Sequence, residues 1–295
     1  MLQFVNNTAL VCEGGGMRAT YTAGMAEVLL EHGVKFPYVT GVSAGTTIAI
    51  NYVMRNAARM YEGLVDLSAN KDFAGMKHFV RGDGFFNSFY IYEEAYFDEP
   101  EHEANWQRFK NSGVEIALSA FNQDTGELRY WHMADFANYR DLMRVSRASS
   151  SLPLVMPATY IDGVGYVDGG VREGFVLQPA IDAGIERFVI LPTHKRGYRR
   201  EPSKSLAVAK VAYRHHPKVA EALETRAANY NAQMDFIDQL EAEGKALVLY
   251  PEEMPVERTE TDHDKLAASW QLGRAQAEAQ IDAWLEWMQP TAVSE

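Results

Sequence analysis

Ser43 sits in Gly41-Val42-Ser43-Ala44-Gly45, Asp168 opens Asp168-Gly169-Gly170, and three consecutive glycines stand near the start of the chain in Gly14-Gly15-Gly16-Met17-Arg18. A serine hydroxyl attacks a carbonyl only when a base takes its proton and fixed N–H donors receive the charge that develops on the carbonyl oxygen. The three motifs offer one candidate for each role, with Ser43 as nucleophile, Asp168 as carboxylate base and the glycine run as oxyanion cradle. Taken alone, an Asp-Gly pair is ordinarily a tight turn, and Gly-x-Ser-x-Gly depends for its meaning on a strand before it and a helix after it.

Those flanking elements are legible. Residues 37–42 read as a short buried strand and residues 44–60 as one helix rich in Ala, Ile, Val and Met. Ser43 then falls on the turn between them, where Gly41 and Gly45 remove side chains that would clash as strand and helix approach. Residues 8–12 read as a strand and 19–32 as a helix, with Gly14, Gly15 and Gly16 between them. A backbone without side chains can turn its N–H groups toward an anion, helped by the dipole of the following helix. A phosphate or an oxyanion would satisfy that geometry. The chain has neither Gly-x-x-x-x-Gly-Lys-Ser/Thr nor Gly-x-Gly-x-x-Gly, which favours the oxyanion.

In this order, the glycine loop with Arg18, the serine elbow at Ser43 and Asp168-Gly169-Gly170 resemble the patatin-like phospholipase family, lipid acyl hydrolases that use a Ser-Asp dyad. Ala148-Ser149-Ser150-Ser151-Leu152-Pro153 and Val155-Met156-Pro157 resemble the Ala-Ser-x-x-x-Pro segment that precedes the catalytic aspartate in bacterial members. The resemblance covers roughly the first two-thirds of the chain. It implies Ser43 as nucleophile, Asp168 as base and the Gly14–Gly16 N–H groups as oxyanion hole, with Gly41, Gly45, Gly169 and Gly170 in support. Arg18 occupies the family's basic position, either holding the glycine loop or contacting a phosphate. A lipid or other acyl ester is the implied substrate. Chain length and head group are properties of the pocket rather than of the motifs, and oligomeric state has no signature here.

An unperturbed aspartate, with a pKa near ~4, is a weak base toward a hydroxyl. Partial burial would raise the basicity of Asp168, and the oxyanion hole would lower the cost of the tetrahedral intermediate. The same carboxylate would then activate water to release the acid, a cycle that needs no metal and no cofactor. The rival within enzymes is a Ser-His-Asp triad, for which His194, His215, His216 and His263 follow Asp168. His194 lies among basic residues and the paired histidines in a polar stretch, so a satisfied or solvated role is the expectation for each. Two further classes are a module that binds a phosphorylated ligand without hydrolysing it and a scaffold that uses its C-terminal helices.

A chain of 295 residues can bury a sizeable core. Glycine-punctuated strands alternating with helices predict an α/β fold of three layers, a sheet with helices on both faces, followed by a mostly helical C-terminal extension. Further strands are expected at 114–121, 128–132, 158–161, 187–191 and 246–250, and helices at 178–184, 205–215, 218–243 and 263–288. Residues 1–200 then form the catalytic domain and 201–295 the extension, with the joint at 196–203. A lone strand at 246–250 cannot stand alone, so the extension is expected to be integral to the domain.

The only cysteine, Cys12, lies in the first expected strand, the N-terminal residues 1–7 lack a charged start followed by an apolar run, and no segment is long and apolar enough to span a membrane. The cytoplasm is the expected location. A net charge of −12 disfavours nucleic acid and broad attachment to anionic lipid; residues 251–295 alone carry 3 basic against 10 acidic side chains, a net −7. The densest basic cluster, His194, Lys195, Arg196, Arg199, Arg200 and Lys204, leaves room for transient contact with a membrane surface, although a solvated loop is the simpler reading. The aromatic run 85–92, continued by Tyr96 and Phe97, is read as core packing ahead of an acyl pocket or cover. Glu93, Glu94, Asp98, Glu99, Glu101 and Glu103 mark a solvated face there. Trp270, Trp284 and Trp287 are expected to face the chain's own domain.

Overall fold

Alternating apolar side chains on β2 (Thr8–Cys12) point into two cores, one on each face of the sheet, and a third cluster gathers Phe121 and Val167 with Ala209, Val219 and Leu223. The computed structural model describes residues 3–95 and 101–289, so Met1 and Leu2 and, in the aromatic and acidic stretch, Tyr96, Phe97, Asp98 and Glu99 lie outside the described residues. The strands are β1 (Gln3–Phe4), β2 (Thr8–Cys12), β3 (Val34–Lys35), β4 (Tyr38–Val42), β5 (Glu115–Asn122), β6 (Leu128–His132), β7 (Thr159–Ile161), β8 (Val164–Asp168), β9 (Arg187–Leu191) and β10 (Ala246–Val248). The helices are α1 (Ala19–Glu31), α2 (Ala44–Met54), α3 (Ala57–Leu64), α4 (Met76–Arg81), α5 (His102–Lys110), α6 (Tyr139–Ser150), α7 (Gln178–Asp182), α8 (Leu206–Ala212), α9 (Pro217–Ala242) and α10 (His263–Met288).

The main sheet runs β10-β9-β2-β4-β5-β8-β7, with β6 also on β5. Strands β10, β9, β2, β4 and β5 are mutually parallel, while β6 and β8 are antiparallel to β5. Leu10 and Cys12 of β2 face the core shared with α1, α2, α6 and α10. Ala9 and Val11 face the other, shared with Phe175, Ala180 of α7 and Ile237 of α9. This is the three-layer α/β arrangement expected of a sheet buried on both faces. Chain order reverses at β2, which lies between β4 and β9, and the crevice outside the carboxyl ends of such strands is where ligands bind in open α/β sheets.

One edge of β5 pairs with β6 over residues 117–121, and the other is shared end to end. Strand β4 covers it up to Val42 opposite Ser119, and antiparallel β8 takes over with Asp168 opposite Ala120. The carboxyl ends of β4 and β8 therefore meet head to head.

The single helix expected over 44–60 is two. Arg55 takes a left-handed φ of +52° that ends α2, and the Asn56 side chain accepts the Arg59 N–H at 3.0 Å to cap α3. Strand β10 adds to the sheet beside β9, and α10 crosses α1 where a Cβ on Gly24 would stand 2.2 Å from the Trp270 carbonyl oxygen. Trp270 and Trp284 are buried in that contact, and the Trp270 indole N–H donates to Glu27 at 2.7 Å. Among the described residues no helix is long and apolar enough to cross a membrane.

Candidate active site

Ser43 occupies the sharp turn between β4 and α2 with φ +54° and ψ −133°, a strained conformation for a residue with a side chain. Its N–H donates to Ser149 Oγ at 2.8 Å, and its carbonyl accepts the Thr46 N–H at 2.9 Å and the Thr46 hydroxyl at 2.7 Å. The elbow presses against the end of β2: a Cβ on Gly45 would lie 2.3 Å from the Cys12 carbonyl oxygen. Gly41 backs the same contact.

The Ser43 hydroxyl donates to Asp168 Oδ2 at 2.6 Å. The other carboxylate oxygen, Oδ1, accepts the Gly170 N–H at 2.7 Å, and the Asp168 N–H donates to the Ser151 carbonyl at 2.9 Å. Asp168 is 3% exposed, and that burial pushes its pKa above the ordinary aspartate value, against the opposing pull of the Ser43 hydroxyl, Arg226, the Gly170 N–H and Arg258. Gly169 turns the chain away from Asp168 over Ser119.

Gly14, Gly15 and Gly16 line the same cavity as Ser43 and Asp168. The loop is tied at both ends, by the Glu13 N–H donating to the Leu191 carbonyl at 3.2 Å and the Met17 N–H donating to the Arg258 carbonyl at 3.0 Å. The apolar part of the cavity is walled by Ile50, Leu64, Phe73, Phe86, Ile91, Tyr92, Met143 and Met156. The two readings of the aromatic run thus coincide, since Phe86, Ile91 and Tyr92 are buried in the core and face the cavity. Phe89 is exposed.

Arg18 also lines the cavity. It pairs with Glu257 at 2.8 Å, and its Nη1 lies 3.0 Å from His194 Nε2. A guanidinium only donates, so His194 Nε2 accepts and Nδ1 carries the proton, directed at Glu13 3.6 Å away. Glu13 is a buried carboxylate that sequence reasoning missed, for want of any signal beyond its place beside Gly14. It accepts the Thr193 N–H, the Thr193 hydroxyl at 3.0 Å and the Tyr230 hydroxyl at 2.9 Å. Burial alone would push its pKa up, but the His194, Thr193 and Tyr230 contacts hold it below the ordinary glutamate value. Of the four histidines weighed for a triad, His194 alone lines the cavity, and both its nitrogens face these partners. His216 pairs with Asp124 and His263 with Asp66 and Asp264. Cys12 is buried and its thiol pKa is pushed up by that burial.

The basic cluster of 194–204 is divided: Lys195, Arg196, Arg199 and Lys204 are exposed, while His194 and Arg200 are half-buried and line the cavity. Arg196 pairs with Glu241 at 2.6 Å, Arg199 with Asp235 at 3.0 Å and Asp238 at 2.7 Å, and Arg200 lines the cavity with Arg226 and Arg258. None of these last three was singled out for chemistry within the cavity, because they lie on separate segments that only the tertiary fold unites.

Residues 10–181 match the family model described as "Patatin-like phospholipase", and residues 216–289 match one described as "Domain of unknown function (DUF6363)". A curated relative, "Uncharacterized protein YjjU" of Escherichia coli strain K12, is 25% identical over 187 residues, which are 63% of this chain and 51% of that protein. The chain thus spans about half the length of the curated relative it matches. Among solved structures, VipD from Legionella pneumophila aligns over 94% of this chain and 66% of its own at 13% identity and a TM-score of 0.47. The type III effector protein ExoU aligns over 99% and 66% at 14% identity and a TM-score of 0.29.

Proposed function

Because the chain belongs to the patatin-like phospholipase family, we propose that it is a serine hydrolase of lipid carboxylic esters, of phospholipase A, lysophospholipase or esterase type. The observation that carries this reading is the 2.6 Å hydrogen bond from the Ser43 hydroxyl to buried Asp168, set in a cavity with an apolar wall. Asp168 takes the hydroxyl proton as Ser43 attacks the acyl carbon, and the N–H groups of Gly14, Gly15 and Gly16 receive the oxyanion. Collapse of the tetrahedral intermediate returns that proton to the departing alcohol and leaves an acyl-enzyme. Asp168 next deprotonates the incoming water, whose attack frees the acid and restores the serine.

The raised pKa of Asp168 suits it to this work, because a more basic carboxylate deprotonates a hydroxyl more readily. The positive φ at Ser43 holds the nucleophile clear of its own strand. We read residues 201–295 as integral to the catalytic domain, since β10 completes one edge of the sheet and α10 packs along α1. A buried cysteine with no partner in this sequence fits a reducing compartment, and we assign the enzyme to the cytoplasm.

A fluorophosphonate probe, together with a panel of lipid classes hydrolysed by wild type and Ser43→Ala, tests the proposal. Labelling and ester hydrolysis by wild type, both lost in Ser43→Ala, are expected. A folded wild-type protein that resists the probe and cleaves no short-chain ester would overturn the enzyme reading in favour of a non-catalytic binder of lipid or phosphoryl ligands.

A further inference from the structure

Arg200, Arg226 and Arg258 line the cavity of Ser43 and Asp168 but come from three segments beyond residues 10–181, the part that matches the family model. Arg226, on α9, donates from Nε to the Gly170 carbonyl at 2.6 Å, two residues past Asp168. Arg200 lays its guanidinium over the Tyr230 ring at 4.4 Å, and its backbone is fixed on both sides of Asn231, by N–H to Oδ1 at 2.8 Å and by Asn231 Nδ2–H to its carbonyl at 3.1 Å. The Nε of Arg200 is buried with no hydrogen-bond partner among the described residues. Arg258 holds the glycine loop through its carbonyl.

The three are close enough to oppose one another. Burial, followed by the charge of Arg200, pushes the Arg226 pKa down to about 10, and Arg258 acts in the same direction while Asp168 pulls the other way. Arg18, Arg196 and Arg199 have carboxylates at ion-pair distance. Among the described residues no ion pair is found for Arg200, Arg226 or Arg258, and Asp168 is the one carboxylate lining the cavity with them. In a chain of net charge −12, this concentration of guanidinium groups is not a product of composition. Arg200 and Arg226 are half-buried and Arg258 is exposed at the cavity's rim; holding partly desolvated like charges side by side is unfavourable, and it is tolerated where an arriving anion supplies the missing countercharge.

Resting on the hydrolase reading, we propose that Arg200, Arg226 and Arg258 form a receptor for a phosphate group of the substrate, so that the enzyme prefers acyl esters bearing a phosphate near the scissile bond over neutral esters. Guanidinium groups converging from three segments suit an anion with several oxygens in different directions, whereas a carboxylate is satisfied by a single fork. The same chemistry belongs to a membrane phospholipid and to a soluble acyl glycerol phosphate.

The test compares a short-chain monoacylglycerol with its 3-phosphate, both below their micelle concentrations, and with phosphatidic acid vesicles, using wild type, Arg200→Gln, Arg258→Gln and the double variant. Arg226 is left in place because it supports Gly170. Wild type is expected to favour the monomeric phosphate ester, and each substitution should reduce kcat/KM for it, relative to the neutral ester, by about 10- to 100-fold, the range of a charge-assisted hydrogen bond. Equal loss on both esters in folded variants, or a preference confined to vesicles and untouched by the substitutions, would overturn the receptor. Calorimetric titration with glycerol 3-phosphate reads the receptor without turnover. Binding that weakens at least tenfold in the double variant supports it even if no ester is cleaved and the hydrolase reading fails, and no binding to wild type sinks it.

Discussion

Ser43 and Asp168 are 125 positions apart yet share a 2.6 Å hydrogen bond because their strands abut on one edge of β5, Val42 facing Ser119 and Asp168 facing Ala120. Parallel β4 and antiparallel β8 deliver their last residues to the same point from opposite directions. Neither residue reaches across an intervening strand, so small shifts in register at Ser119 or Ala120 would part them.

Substituting either partner should therefore separate chemistry from folding. Ser43→Ala is expected to abolish probe labelling and acyl transfer, and Asp168→Asn to lower kcat by about 1,000-fold or more while the circular dichroism spectrum is kept. An Asp168→Asn enzyme within tenfold of wild type would mean that another group serves as the base.

The acid limb of activity should lie above the ordinary aspartate range, because Asp168, as the proposed base, must be ionised to act and burial raises its pKa. Arg226 opposes that rise through its charge. Arg226→Gln is thus expected to move the acid limb of kcat/KM for a neutral ester to higher pH, and a shift toward lower pH would contradict the assignment of Asp168 as base.

Glu173, five residues past Asp168, is buried; burial pushes its pKa up to about 7, and its Oε1 has no hydrogen-bond partner among the described residues. Between the unfolded value of 4.5 and 7 the folded protein holds a proton that the unfolded chain has released. Stability from this group is then complete below the lower value and is lost as pH rises through the upper one, a difference on the order of 3 kcal/mol. In urea titrations Glu173→Gln should flatten the decline between pH 5 and pH 8 and be more stable than wild type at pH 8; an unchanged profile would place the carboxyl in a better solvated state.

The candidate trio of motifs was legible because the chemistry proposed for it constrains local sequence: an elbow that allows no Cβ at Gly45 and a loop of three glycines announce themselves. Helix α2 was overrun to Met60 because nothing in Arg55-Asn56 advertises a left-handed residue followed by a side-chain cap. Strand β8 was not foreseen, since its five residues are interrupted by Gly165, which serves to let the Gln123 side chain lie against the strand. Helix α6 was hidden by Arg140, Asp141, Arg144 and Arg147, with its buried stripe of Tyr139, Leu142, Met143 and Val145 set between them. Glu13 and the arginines at 226 and 258 obey no local pattern at all, and Arg200 was legible only as one member of a basic run. Their roles arise when α9 and the segments before and after it close over the glycine loop.

His194 provides the sharpest division between a dyad and a triad. Its Nε2 accepts from Arg18 and its Nδ1 faces Glu13, so neither nitrogen is left to draw the proton from Ser43. His194→Gln keeps a polar side chain in that place but removes a favourable partner of the buried Glu13 carboxylate, which should cost about 1–3 kcal/mol of stability. Activity on a neutral ester is expected to fall by less than about 100-fold with probe labelling of Ser43 retained, far short of the roughly 10,000-fold or greater loss that follows removal of a triad histidine. The comparison needs thermal melts and kinetics on the same preparation: a catalytic collapse without destabilisation would make His194 the base and leave Asp168 to orient it.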